Sequence, residues 1–293
     1  MTRYRVEHRT TYSYDDEVDD SYGVGHLVPR ALPWQQVTGY DVTVQPTAVD
    51  LTLDVDHYGN PVTYFQVTAP HTELVVLGSG EVDVVAPAVD EAAAGRAWEQ
   101  VRPLEDPAAP GAWLATDFAL ASPAVPLHGG ARDYAAESLL PGRPVGEAIA
   151  DLMHRIHADF DYDPAATTVT STVSEILAKR AGVCQDFAHL TLAGLRAHGL
   201  AARYVSGYLA TLPPPGKERV VGADASHAWL AVWLGGDEWL ALDPTNDQWQ
   251  NDRYVTLAWG RDYGDVPPLK GVIFSEAQTT GMHVSVDVAP QGS

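Results

Sequence analysis

The sequence predicts an α+β domain preceded by an N-terminal all-β domain, on three observations. The first 85 or so residues alternate apolar and polar side chains between turn signals, the region after Val145 carries helical periodicity, and strands return only once three helices have passed. Helices first and sheet later is the order of a fold whose helices gather on one side of an antiparallel sheet. A length of 293 residues allows about two domains, each with its own core.

The opening strands are "YRVEHRTTYSY", "GYDVTVQPT", "DLTLDVDHYGNPVTYFQV" and "ELVVLGSGEVDVV", with a hairpin turn expected at Gly59 and Asn60 and Pro61 opening the return strand. They read as a β-sandwich-like domain over residues 1–85. From 86 to 144 the texture turns to Ala, Pro, Gly and scattered Trp, which reads as a connecting region with short helices. The third unit, 145–293, begins with Val145, Ile149, Leu152, Ile156 and Phe160 on one helical stripe. A second helix starts at Thr172, whose T-x-x-E pattern with Glu175 is a capping box, and Gly182 is its expected stop. The third starts at Cys184, buries Phe187, Leu190 and Leu195, and stops at Gly199. Strands follow in "ARYVSGYLA", "SHAWLAVWL" and "EWLALD".

Composition narrows the function classes. With 18 Lys+Arg against 39 Asp+Glu the net charge is −21, which repels phosphate backbones and anionic lipid surfaces, so neither nucleic acid nor membrane is an expected partner. No run approaches the ~18 apolar residues of a transmembrane helix, and the charged, β-like "MTRYRVEHRTTYSY" lacks the apolar core of a signal peptide. A single cysteine forms no internal disulfide and suits a reducing compartment, so a cytoplasmic location is expected.

That cysteine, Cys184, stands two residues behind a glycine and at the start of a helix, in "RAGVCQDFAHL". A buried thiol packs like a small hydrophobe, but at a helix N-terminus the dipole and unpaired N–H groups stabilise the reactive thiolate. The same amides can donate to an oxyanion that develops beside the sulfur. A nucleophilic thiol needs a base, and His227 in "DASHAWLAVWL" is the best placed of eleven histidines, sharing a strand face with Trp229, Ala231 and Trp233. Asp243, ending the next strand in "EWLALDPTND", is the expected orienting carboxylate. Strand parity sets a condition. If Gly235 and Gly236 alone formed the turn, Asp243 would face away from His227; a three-residue loop from Gly235 to Asp237, or an equivalent bulge, sets Asp243 opposite Trp229 and on the face of His227.

Taken in order, "RAGVCQDFAHL", "SHAWLAVW" and "WLALDPTND" resemble the transglutaminase-like superfamily, in particular its bacterial members with an N-terminal β domain. The resemblance covers Val145 to Trp249 strongly and the first 85 residues more weakly. It implies a papain-like core, with a Cys-His-Asp catalytic triad at Cys184, His227 and Asp243. Animal transglutaminases use an upstream Trp at the oxyanion; this chain has "FDYDP" there, leaving Tyr162 as the substitute. Arylamine N-acetyltransferases also use Cys, His and Asp in that order, but with the cysteine much nearer the N-terminus.

No cofactor or metal is expected. His154 and His157 form an i, i+3 pair without a second ligand pair, and the acidic run Asp159, Asp161, Asp163 fails the calcium-loop pattern at Pro164 and Thr170. His189 and His198, on the Cys184 helix, are placed as packing or surface residues. The segment Thr211–Ser226, with three prolines, reads as a substrate-binding lip or a plain surface loop. The expected activity is cysteine-dependent acyl transfer that cleaves amide or peptide bonds through a thioester. The expected partners are a peptide or amide substrate and a cationic or amine acceptor. The alternatives are a true transglutaminase joining glutamine to amines, and a non-catalytic binding module on the same fold.

Overall fold

The computed structural model describes residues 1–211, 226–275, 277 and 279–291. Fourteen strands and six α-helices are assigned among them. The N-terminal part is built on one 24-residue strand, β1 (Thr2–Gly25), followed by β2 (Gln35–Gln45), β3 (Asp50–Val55), β4 (Pro61–Val67) and β5 (His71–Val84). The first half of β1 pairs with β5, which carries β2 on its other side; the second half pairs with β4, which carries β3. A register shift near Val18 marks where β1 passes from one layer to the other. Tyr14, Val18, Val44, Phe65, Val67, Leu74 and Val76 from both halves share one core, as in a sandwich. The β3–β4 hairpin turns at Gly59, where φ is +74°.

The connecting region holds three short helices, α1 (Glu91–Ala94), α2 (Ala112–Thr116) and α3 (Gly129–Ala136). The core follows with α4 (Val145–Asp159), β6 (Asp161–Tyr162), α5 (Val173–Lys179), β7 (Ala181–Gly182) and α6 (Cys184–Ala197). Five strands then form an antiparallel sheet: β8 (Ala202–Leu209), β9 (Ser226–Gly235), β10 (Glu238–Asp243), β11 (Gln248–Trp249) and β12 (Tyr254–Gly260), in the order β11-β10-β9-β8-β12. Residues of even number on β8 and β9, such as Tyr204, Tyr208, Leu230 and Val232, share a core with Phe187, Leu190 and Leu195 of α6. Odd-numbered Val205, Trp229 and Ala231 pack on the other face with Tyr254. The α6 helix is buried on all sides from Asp186 to Arg196, which fixes its N-terminus against the sheet.

Two expectations change. The last strands, β13 (Leu269–Ser275) and β14 (Thr280–Pro290), leave the core and pair with β1, so the 145–293 unit does not run to the C-terminus as one body. β14 flanks the first half of β1 and β13 the second, completing both layers of the N-terminal sheet. The pairing is long-range, and only a partner strand distant in sequence reveals it. Second, α5 ends at Lys179 and not at Gly182: Arg180 takes the left-handed conformation at φ 54° and its N–H bonds Ile176 O. Gly182 instead packs against Asp186 of α6. The Thr172–Glu175 capping box and the stop at Gly199, where φ is +80°, are as expected.

Candidate active site

Cys184 occupies the first helical position of α6, half-buried, with Val183 as the extended N-cap. Two residues into the helix, the Asp186 carboxylate folds back: Oδ2 accepts from Val183 N at 2.9 Å and from Thr167 Oγ1 at 2.6 Å. This ties the approach to the helix and leaves the first-turn N–H groups of Cys184 and Gln185 without an acceptor in the helix itself. Gly182 is needed for that closure. A Cβ there would lie 2.7 Å from Asp186 Oδ2 and 2.9 Å from its Cβ. β6 and β7 pair in parallel and set Tyr162 beside Gly182. The Tyr162 side chain stands 60% exposed, and its phenol is raised above its ordinary pKa by partial burial and then by the charge of Cys184.

His227 lies near the start of β9 and Asp243 at the end of β10. The β9–β10 turn is the two-residue Gly236–Asp237, with Gly235 paired to Glu238, and a register shift between Glu238 and Trp239 follows it. From there on Trp239 pairs with Trp233 and Leu242 with Leu230. The bulge therefore performs the parity correction expected of a three-residue loop, and Asp243 arrives on the face of His227. The two side chains meet: His227 Nε2 and Asp243 Oδ2 are 2.7 Å apart. The His227 ring stacks on Trp229 at 6.1 Å between centroids, with Tyr254 at the same distance. Its side chain is 11% exposed and that of Asp243 is fully buried.

Burial alone would hold the imidazole neutral. The hydrogen bond to Asp243, together with the charges of Asp243 and Cys184, outweighs it and pushes His227 up to about 10. Nε2 serves Asp243, which leaves Nδ1 as the ring nitrogen for proton transfer. Asp243 is itself driven toward its acid form by burial, yet His227, Asn246 and Tyr254 hold it below the ordinary carboxylate range. Tyr254 Oη donates to Oδ2 at 2.7 Å, Asn246 Nδ2 to the same oxygen at 2.7 Å, and Thr245 N to Oδ1 at 2.9 Å. Both oxygens of the buried carboxylate thus accept hydrogen bonds, Oδ1 also from Asn246 N at 3.3 Å. Asn246 Nδ2 also lies 3.3 Å from His227 Nε2.

Sequence reasoning brings Cys184, His227 and Asp243 together; the structure bonds His227 to Asp243 and puts Cys184, at the start of α6, within electrostatic reach of the imidazole. It missed Asp186, Asn246 and Tyr254. Asn246 stood within the "ALDPTND" motif, three residues past Asp243, where an Asx side chain reaching back was readable. Nothing in the local pattern marks Tyr254, which reaches Asp243 from β12, on the far side of β8 and β9. His154 and His157 point to the turn after β10: His154 Nδ1 bonds Asp247 and His157 Nδ1 lies 3.0 Å from Thr245 O, so they brace the loop that carries Asp243. His189 is buried, accepts from Tyr263 N at 3.2 Å, and is lowered to about 4 by desolvation; His198 bonds Arg132 O. Among the described residues, no cluster of three or more His, Cys, Asp or Glu could hold a metal, and no helix is long and apolar enough to cross a membrane. The Thr211–Ser226 lip lies, apart from its two end residues, outside the described residues.

Comparison with known proteins agrees with this architecture. Residues 4–83 match the bacterial transglutaminase-like N-terminal region, and residues 132–244 match the transglutaminase-like superfamily. The second match begins within α3, so the core starts ahead of Val145. An uncharacterized protein of Mycobacterium tuberculosis is 48% identical over 295 residues, covering 98% of this chain and 93% of its own. A protein-glutamine gamma-glutamyltransferase of Pseudomonas aeruginosa is 34% identical over 127 residues, which cover 41% of this chain and 19% of that one. The crystal structure of a proposed cysteine protease from Cytophaga hutchinsonii superposes with a TM-score of 0.74 at 18% identity, over 99% of this chain and 98% of that one, and shows the same fold. With a β module, a cysteine-headed helix and a His–Asp pair on the following strands, the chain belongs to the transglutaminase-like superfamily.

Proposed function

We propose that the protein is a cysteine-dependent acyl-transfer enzyme that hydrolyses amide or peptide bonds, with Cys184, His227 and Asp243 as its catalytic triad. The observation that carries the reading is the imidazole of His227, bonded to the buried Asp243 and raised in its proton affinity by the charges of Asp243 and Cys184. The Cys184 sulfur attacks the carbonyl carbon, the oxyanion is met by first-turn amides of α6, and His227 gives its proton to the leaving amine. A thioester and free amine result. Water then attacks the thioester, losing a proton to His227, and releases a carboxylic acid and the thiolate.

The second reading is amine transfer as the main outcome. It is favoured by the likeness to the gamma-glutamyltransferase of Pseudomonas aeruginosa. Water at ~55 M wins unless a dry cleft positions the amine through effective molarity. A charge of −21 draws cationic peptides and amines to the surface but does not choose between the two outcomes. Ammonia release and amine incorporation are to be measured in one tube, on glutamine-containing peptides at millimolar amine. Release should exceed incorporation; the reverse assigns a transglutaminase. Cys184→Ala and His227→Ala should abolish both readouts, whereas Asp243→Asn should keep a residue on the order of 10⁴-fold below the parent, because the carboxylate orients the base without making bonds. Near-parental turnover in all three variants would remove the triad.

A further inference from the structure

On the face of the core sheet turned away from α6, Arg203 of β8 is 8% exposed and lies between two indoles, its guanidinium carbon 3.7 Å from the centroid of Trp259 and 4.2 Å from that of Trp239. Stacking satisfies the faces of the cation. Its in-plane donors are another matter. Nε has no hydrogen-bond partner, and among the described residues Arg203 forms no ion pair. The charge it feels is that of Arg30, a second cation, whose guanidinium also lies over Trp259 at 3.6 Å and already donates to Tyr58 O and Asn60 Oδ1. Burial and that neighbour hold Arg203 well below the ordinary arginine pKa.

The other deeply buried arginine shows the contrast. Arg196 donates to Ala202 O, Ser122 Oγ and Arg261 O, so its charge is solvated by the protein. An uncompensated buried charge is costly, and a protein that retains one leaves its counter-charge to come from elsewhere. Arg203 borders a cavity of about 630 Å³, a size suited to a small organic ligand, whose walls include Trp113, Tyr58, Phe118, Trp239 and Trp259. Trp113 stands at its mouth, 76% exposed.

We propose that this cavity binds an aromatic monocarboxylate, its carboxylate paired in-plane with Arg203 and its ring against the tryptophans. One free cation balances one negative charge. Asp117, which also lines the cavity and accepts from Tyr58 Oη at 2.8 Å, together with the acidic chain, disfavours a dianion. Flat apolar walls suit a ring. The site is distinct from the candidate active site. Arg203 pairs with Ala231, four residues along β9 from His227, or about 13 Å at the usual strand rise. The same chemistry is offered by a free aromatic acid and by a peptide ending in phenylalanine.

The test is a tryptophan-fluorescence titration of the full chain with phenylacetate, phenylacetamide and acetyl-Ala-Phe. Phenylacetate should quench saturably and bind at least about tenfold more tightly than its neutral amide, the usual worth of a charged hydrogen bond. Acetyl-Ala-Phe binding more tightly than phenylacetate assigns the site to peptide termini, and binding more weakly assigns it to free acids. Arg203→Met should erase the preference for the acid while the thermal midpoint holds or rises, since an unpaired buried charge is removed. Trp113→Ala, at an exposed position, should weaken phenylacetate with no change in midpoint, so the result does not depend on the Arg203 variant folding. Equal affinity for acid and amide, or undiminished phenylacetate binding by Arg203→Met, would overturn the proposal.

Discussion

At the scale of single residues, the site depends on how Asp243 is held more than on its presence. A carboxylate buried this fully stays ionised only if donors surround it, and here they come from His227, Tyr254, Asn246 and the Thr245 amide. Tyr254→Phe removes one donor without changing shape. It should cost about 1.5–3 kcal/mol in urea unfolding, the range for a hydrogen bond to a charged group, and lower kcat at least as much as it raises KM, because Tyr254 is fully buried behind Asp243. A loss confined to KM would place Tyr254 in substrate binding. Titration gives a second handle. His227 is raised to about 10 against an ordinary 6.5, so the folded state binds its proton more tightly than the unfolded chain does. The stabilisation is therefore complete below about pH 6.5 and drains away as pH rises toward 10. Comparing parent with His227→Gln by urea unfolding across that window should show the parent's advantage shrinking with rising pH; an advantage that grows would mean the ring is buried neutral.

At the scale of elements, the turn from β7 into α6 decides where the thiol points. Gly182 is pressed against Asp186, which is fixed by Val183 N and Thr167 and has no room to swing aside. Gly182→Ala should displace that carboxylate, unfasten the helix start, and cost about 1–3 kcal/mol, the range for overpacking. Iodoacetamide labelling of Cys184 should slow with it; an unchanged labelling rate together with an unchanged thermal midpoint would show that the contact does not position the thiol. The same turn is the least legible part of the sequence. The glycine ahead of the cysteine was legible as a turn, but its reason, a side chain two residues into the helix closing back on it, is a contact that no spacing rule announces. The bounds of α6, by contrast, were legible: it starts at Cys184, and Gly199 follows its end in the left-handed conformation, where a glycine stop is a local event. The β9–β10 hairpin lies between these cases. Parity demanded an extra residue on one strand, and a bulge supplied it where Gly235 and Gly236, both at positive φ, give the tip its backbone freedom.

At the scale of the whole molecule, the chain closes on itself: β13 and β14 return from the core to flank β1, which pairs on its other side with β4 and β5. Periodicity identified the N-terminal strands but could not say which segments pair, so the return of the C-terminus was not readable from it. The N-terminal module and the core are further joined by His8 to Tyr208 at 2.9 Å and by Gln35, which exchanges two hydrogen bonds with the Thr256 backbone. Val286 and Val288 of β14 are buried in the same core as Tyr4, Val6, Val82 and Val84, and that core continues to α6. Removing the segment after Pro268 should therefore harm far more than a tail. The two valines alone contribute about 3–6 kcal/mol of burial, and the whole length of β1 becomes an unpaired edge open to association with other chains. The truncated protein should lose its cooperative thermal transition by circular dichroism and elute as aggregate on size exclusion. A monomeric truncated chain melting within about 5 °C of the parent, a shift worth only about 1–3 kcal/mol at this length, would show that β13 and β14 are accessory and that the core folds without the sheet they complete.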